Sequence, residues 1–167
     1  AGNWVRGQIA FDEAGAPTGI SGVEIAAMRD EDGDAFESKR AGDSEGLARL
    51  PDGQIAVSFE QNQRVRFYDL SQGPFSPARR APALADTGDL EANRGLEALA
   101  AFVDGRMLVG AESGQLWILP QESEQRIAPL GQYELGLGFG LVDLDLLPSG
   151  DFIALERFYA PVIGNRI

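Results

Sequence analysis

Two glutamates, Glu45 and Glu97, stand 52 positions apart in matching surroundings. Each opens a short apolar run that ends at an Asp-Gly pair: Glu45-Gly46-Leu47 leads to Asp52-Gly53, and Glu97-Ala98-Leu99 leads to Asp104-Gly105. Glu60 and Glu112 follow at the same offset, and Glu156 falls near the corresponding place in a third copy, one residue early. Carboxylates that converge repel one another, so one of them holds its proton or a cation enters between them. This reading makes Asp43, Glu45, Glu60, Glu97 and Glu112 candidate metal ligands, and Glu45 and Glu97 candidate general bases. Arg94 and Arg157 stand close to these acids in the chain. A guanidinium fork matches a carboxylate or phosphate two-pronged, so Arg94 is a candidate catalytic clamp, and Arg94, Arg157 and Glu156 form a candidate substrate-binding set for an anionic ester. The same residues also admit a purely structural reading, in which each Glu caps its own turn or pairs with an Arg of the adjoining repeat to fix the spacing.

Composition narrows the chemistry. The 167 residues include no His and no Cys. A thiol nucleophile, a thiolate metal site and a Ser-His-Asp triad are therefore absent from the chain. Only oxygen donors remain, which suit hard ions such as calcium. Twenty-six acids against 14 bases give a net charge of −12, which repels phosphate backbones and argues against nucleic acid as a partner. No apolar run approaches the ~18 residues of a membrane span. The opening Ala1-Gly2-Asn3-Trp4 carries no basic-then-apolar leader, so any signal peptide is expected to be absent or removed. Weaker candidates include the glycine-rich stretch from Gly131 to Gly140, which lacks the strand-turn-helix context of a dinucleotide site. Lys39, the only lysine, lies in a polar stretch, and Trp117 sits in an alternating run that reads as core.

The acids must be positioned by whatever the repeats form. Each copy reads as strand, tight turn, strand, turn, strand, with the turns at Pro51-Asp52-Gly53, Asp104-Gly105 and Pro148-Ser149-Gly150. A period of about 45–50 residues with three or four short strands is the pattern of β-propeller blades. The expectation is an all-β fold of four-stranded antiparallel sheets, in a single, partial propeller domain over 1–167 with repeats at 42–70, 93–120 and 138–167. The stretches from Ser71 to Pro77 and from Arg79 to Asp89 read as loops, and Asp30 to Asp34 as an acidic turn. The alternating run Trp4 to Phe11 reads as an N-terminal strand that completes the last blade. Equivalent positions on successive blades, such as Glu45 and Glu97, converge on one mouth of such a ring, and the antiparallel hairpin within each repeat places Glu45 near Glu60 and Glu97 near Glu112.

Gly42-Asp43-Ser44-Glu45-Gly46-Leu47-Ala48, Leu50-Pro51-Asp52-Gly53 and Ser58-Phe59-Glu60 resemble the phytase-like family, "esterase-like activity of phytase". Asn93-Arg94-Gly95-Leu96-Glu97-Ala98-Leu99 and Leu155-Glu156-Arg157 resemble its two later motifs, and the likeness runs from about residue 19 to 167. The resemblance implies a six-bladed propeller of exported bacterial proteins, periplasmic or secreted. It also implies most of a further blade between Gly22 and Val23, so that about half of the ring is present here. A homodimer that completes the ring is one expectation from that shortfall. The expected function is hydrolysis of a phosphate or other ester at a calcium-holding channel mouth. The alternative is a non-catalytic propeller that binds a ligand or scaffolds other proteins.

Overall fold

The computed structural model describes residues 2–71, 73–88, 90, 94–160 and 164–166, and among them there is no helix. The chain opens with an antiparallel hairpin of β1 (Asn3–Phe11) and β2 (Pro17–Ala27). The first blade follows as β3 (Ser44–Arg49), β4 (Ile55–Phe59), β5 (Arg64–Tyr68) and β6 (Arg79–Arg80), paired in that order. The second repeats it with β7 (Leu96–Ala101), β8 (Met107–Ala111), β9 (Gln115–Leu119) and β10 (Gly131–Gln132). The third is three-stranded among the described residues: β11 (Phe139–Leu146), β12 (Phe152–Ala160) and β13 (Gly164–Arg166). Strand β7 lies against β3 and β4, and β11 against β7 and β8. The first strand of each sheet is thus innermost, and the sheets stack face to face around a common axis: the fold is a partial β-propeller.

The turn chemistry written into the repeats recurs in space. Gly53, Gly105 and Gly150 all hold φ between +84° and +91°, and the residue before the turn takes a backbone bond from across it each time. Asp52 and Asp104 accept the N–H two residues on through Oδ1, at 3.0 and 3.1 Å. The alternation of each strand then sends one set of side chains to each neighbouring blade. Leu50, Phe67 and Val65 meet Leu99, Val109 and Trp117 between the first two blades. Leu108 and Leu116 meet Leu141 and Leu144 between the second and third. Trp117 is fully buried as expected, and its indole N–H donates to Ala85 O at 3.1 Å, which ties the 81–87 connection onto the core.

Two expectations are corrected. The stretch from Arg79 to Asp89 is not wholly loop, since β6 adds a fourth strand to the first blade, as β10 does to the second. These strands are only two residues long, and β6 lies between Pro77 and Pro82, which cannot donate to a ladder. The N-terminal strand does not complete the last blade; β1 pairs with β2 instead. The turn between them is short and self-sufficient, because Asp12 Oδ1 accepts from both Ala14 and Ala16 N–H at 2.9 Å. Local closure of so short a loop costs little chain entropy. Where most of a further blade was expected, β2 runs on through Gly22, whose φ of +59° sets Gly22-Val23 opposite the single Gly7 as a bulge.

The blades meet most closely at glycine. A Cβ on Gly46 would stand 2.5 Å from the backbone O of Glu97 and 2.8 Å from Ser58 Oγ. Gly46→Ala is therefore expected to destabilise the fold by about 1–3 kcal/mol through overpacking against backbone that cannot move aside. Urea unfolding at unchanged m-value checks this, and an alanine variant as stable as the parent would refute the contact.

Candidate acidic mouth of the propeller

The inner strands run parallel to one another from blade to blade, so their N-terminal ends line one mouth. Each carries an extra residue at the same place. Register shifts lie between Ser44 and Leu47 in β3, between Leu96 and Ala98 in β7, and between Leu141 and Asp143 in β11. The residues that interrupt the ladder are Glu45-Gly46, Glu97 and Val142. A bulge re-aims its side chain out of the pleat. Here it frees the two glutamates from the regular alternation that would bury or expose them with their neighbours. Ser58, fully buried, holds the first bulge by accepting the Gly46 N–H at 2.8 Å. The third blade carries Val142 at the bulge, so the acid of the inner strand is not repeated there.

Asp43, Glu45 and Glu60 each offer one carboxylate oxygen, all lying within 4.8 Å of one another. Asp43 and Glu60 are buried and Glu45 is exposed. Gln61 Nε2 donates to Asp43 Oδ2 at 3.0 Å, and Lys39 Nζ approaches the same oxygen at 3.7 Å. Glu60 and Glu112 both pack across a blade boundary: a Cβ on Gly95 would meet Glu60 Cγ at 2.8 Å, and one on Gly140 would meet Glu112 Cγ at 2.6 Å. Arg94 Nε lies 3.6 Å from Glu112 Oε2. Farther along the inner strands runs a cleft of about 370 Å3, lined by Leu47 to Arg49, Leu99 to Ala101 and Asp143 to Asp145.

Glu156 and Arg157 exchange the places expected of them. Pairing sets Leu141 opposite Glu156, as Ser44 stands opposite Phe59 and Leu96 opposite Ala111. Arg157, not Glu156, therefore occupies the position of Glu60 and Glu112. Both carboxylate oxygens of Glu156 are taken by the adjoining loop, Oε1 by Tyr133 O–H and Oε2 by Gly136 N–H, each at 2.9 Å. Arg157 lies close enough to both Glu45 and Glu97 to favour their charged forms.

The mouth is electrostatically strained. Burial, and then the charges of Glu45, Glu60 and Glu112, push Glu97 from 4.5 up to about 7, against the opposing pull of Arg157. Burial followed by Asp43 and Glu60 raises Glu45, with Lys39 and Arg157 opposing. Burial raises Glu60 also, countered first by the Gly95 N–H and reinforced by Asp43 and Glu112. Glu45 thus lies beside Glu60, and its charge acts on Glu97 across the boundary between blades. Sequence reading set Lys39 and Ser58 aside and did not single out Gln61. The four-residue step from Lys39 to Asp43 was the one legible signal; a Ser beneath a bulge leaves none, because the bulge is created by pairing.

A family model described as "Phytase-like: Esterase-like activity of phytase" matches residues 1–167. The chain belongs to this family. The phytase-like assignment covers the hairpin as well as the three blades, beyond the stretch whose motifs carried the resemblance. Asn93, which opens one of those motifs, lies outside the described residues. No curated protein matches the chain in sequence.

Glu97 supplies a pH test of this geometry. Its pKa is raised on folding, so the folded state binds more protons between about pH 4.5 and 7. The stability it contributes is complete below the unfolded pKa and is lost as pH rises through about 7. In chelator-treated protein, Glu97→Gln is expected to remove about 1–2 kcal/mol of the fall in unfolding free energy between pH 5 and pH 8, a figure discounted for solvent screening of a half-exposed group. Urea titrations of both proteins at the two pH values measure it, and parallel slopes would contradict the buried-carboxylate reading.

Proposed function

We propose that the chain is an exported phytase-like hydrolase that cleaves a phosphate ester, or another anionic ester, at the acidic mouth with calcium. The observation that carries this reading is the convergence of the Asp43, Glu45 and Glu60 carboxylates, beside which burial and the charge of Glu45 hold Glu97 above the usual carboxylate range. Export rests on the family likeness.

The donors fit calcium. Calcium–oxygen distances are about 2.3–2.6 Å, so oxygens on opposite sides of one ion stand roughly 5 Å apart. The spread of 4.8 Å among Asp43, Glu45 and Glu60 lies within that span, and all three are hard oxygen donors. Glu97 and Glu112 extend the acidic wall toward the second blade. Bound there, calcium would polarise the ester oxygen and offset the charge of the substrate. Burial and the neighbouring acids push Glu97 up to about 7, so near neutrality part of it is ionised, and that ionised form can take a proton from an attacking water. Glu45 stands as the second candidate base. Arg157, facing both glutamates, and Arg94, only loosely held by Glu112, supply guanidinium forks for the anionic group of the ester.

The packing of Glu60 and Glu112 stems against Gly95 and Gly140 favours a second reading, in which the acids fix the blade spacing of a non-catalytic propeller that binds a ligand or scaffolds a partner. Hydrolysis of a chromogenic phosphomonoester separates the two. Turnover is expected to need calcium, to vanish with a chelator, and to drop about 100-fold or more in Glu97→Gln. Activity unaffected by either change would sink the hydrolytic reading. Calcium binding by calorimetry without turnover on any ester would favour the scaffold.

A further inference from the structure

One cleft is basic in a chain whose net charge is −12. It lies between the edge of β5 and the connection from the first blade to the second, and measures about 270 Å3. Arg64, Arg66, Arg80 and Arg126, four of the 14 basic residues, line it together with Gln63 and Thr87. Among the described residues no acid lines it, although the chain holds 26. Asp86, next to Thr87 in the chain, is exposed and is not part of the lining.

The opening follows from the ladder. Strand β6 pairs with β5 only through Arg79 and Arg80, and Ala81 N–H still reaches Val65 O at 3.4 Å. Pro82 comes next and has no N–H with which to continue. The chain then leaves β5 for the second blade. There Ile127 N–H donates to Ala83 O at 2.9 Å, and Ala85 N–H donates to Ile127 O at 2.8 Å. A wedge is left behind Pro82, and the Ile127 contacts bring Arg126 to its wall.

Positive charge is in excess there. Cross-strand pairing sets Arg66 beside Arg80, and both reach one carboxylate. Arg66 Nη2 lies 2.5 Å from Glu31 Oε1, and Arg80 Nε donates to the same oxygen at 3.2 Å. Arg66 Nη1 also donates to Val65 O at 3.0 Å, which holds the guanidinium at the strand edge, and its side chain is only 15% exposed. Arg64 donates to the carbonyls of Ala41 and Asn62 and lies over the Phe59 ring, 4.2 Å from its centre. Neither Arg64 nor Arg126 makes an ion pair among the described residues. Four guanidinium groups thus share one carboxylate. Burial disfavours the charge of Arg64 and of Arg66. Arg66 adds to this at Arg64, and Arg80 adds to it at Arg66, against the pull of Glu31. Such an excess, partly out of water, costs free energy until an anion offsets it.

We propose that this cleft binds a small dianionic oxyanion of the phosphate class, which supplies the missing countercharge. Guanidinium forks match the oxygens of such a group two-pronged. The Thr87 hydroxyl can donate to a remaining oxygen. So can the Gln63 amide nitrogen, since Gln63 Oε1 is already taken by Leu96 N–H at 3.0 Å. The site is separate from the acidic mouth and needs neither calcium nor turnover, so the inference stands or falls apart from the hydrolytic reading.

Calorimetry of the chelator-treated chain with inorganic phosphate, against chloride at equal ionic strength, should show one saturable site. Arg126→Gln, at an exposed position that leaves the fold intact, should weaken binding about tenfold or more. Glu31→Gln should tighten binding by a similar factor, because it removes the carboxylate that competes for Arg66 and Arg80. If that variant does not fold, the Arg126→Gln comparison decides alone. Arg94→Gln and Arg157→Gln, at the mouth, should leave the affinity unchanged. Phenylphosphonate carries the same charged group on an organic body and resists hydrolysis. Binding as tight as that of phosphate assigns the site to the headgroup of an ester, and weaker binding assigns it to the free ion; both support an oxyanion site. A parent without saturable phosphate binding overturns the proposal. So does an affinity untouched by Arg126→Gln, or one lost in Arg157→Gln, which puts the anion at the mouth.

Discussion

The approach of Gly46 to the backbone of Glu97 is the contact on which the site depends. Gly46 sits where any side chain would strike the carbonyl of Glu97, and the boundary between the first two blades is as narrow as backbone allows. A propeller is held by such boundaries, because each sheet is too thin to enclose a core and must share one with each neighbour. Narrowing this boundary has a second effect. It draws the bulged residues of two inner strands together, so that Glu45 and Glu97 cannot avoid each other's field. The electrostatics of the mouth thus follow from packing between sheets.

That mouth opposes the stability of the fold that builds it. Glu45, Glu60 and Glu97 are all held partly out of water, near other carboxylates, and all three resist ionisation. Arg157 and Lys39 offset only part of this. Strain of this kind persists where the surrounding structure over-determines it, and it concentrates at functional sites. The surroundings here are rigid: Ser58 pins one bulge, the Gly95 and Gly140 positions lock the stems of Glu60 and Glu112, and the apolar layers on both sides are buried.

Much of the architecture was legible in the repeats. Asp52-Gly53 and Asp104-Gly105 announce tight turns because only glycine accepts the required φ without strain, and the runs around them alternate with the period of a half-shared sheet. The outermost strands were not legible, since two residues give no periodic signal. Nor was the fate of the first strand, whose alternation fits pairing with any neighbour; the short Asp12 turn decided for β2.

The sequence by itself determined the kind of fold and the kind of chemistry. Periodic turns required blades, and a chain without His or Cys can offer a cation only oxygen ligands. Tertiary structure decided which acids meet. Counting residues put Glu156 with Glu60 and Glu112, but cross-strand pairing put Arg157 there and left Glu156 to Tyr133 and Gly136. Side-chain direction in a sheet alternates with every residue, so a single bulge reverses it. The bulges exist only once strands have paired, and a list of residues does not contain that information.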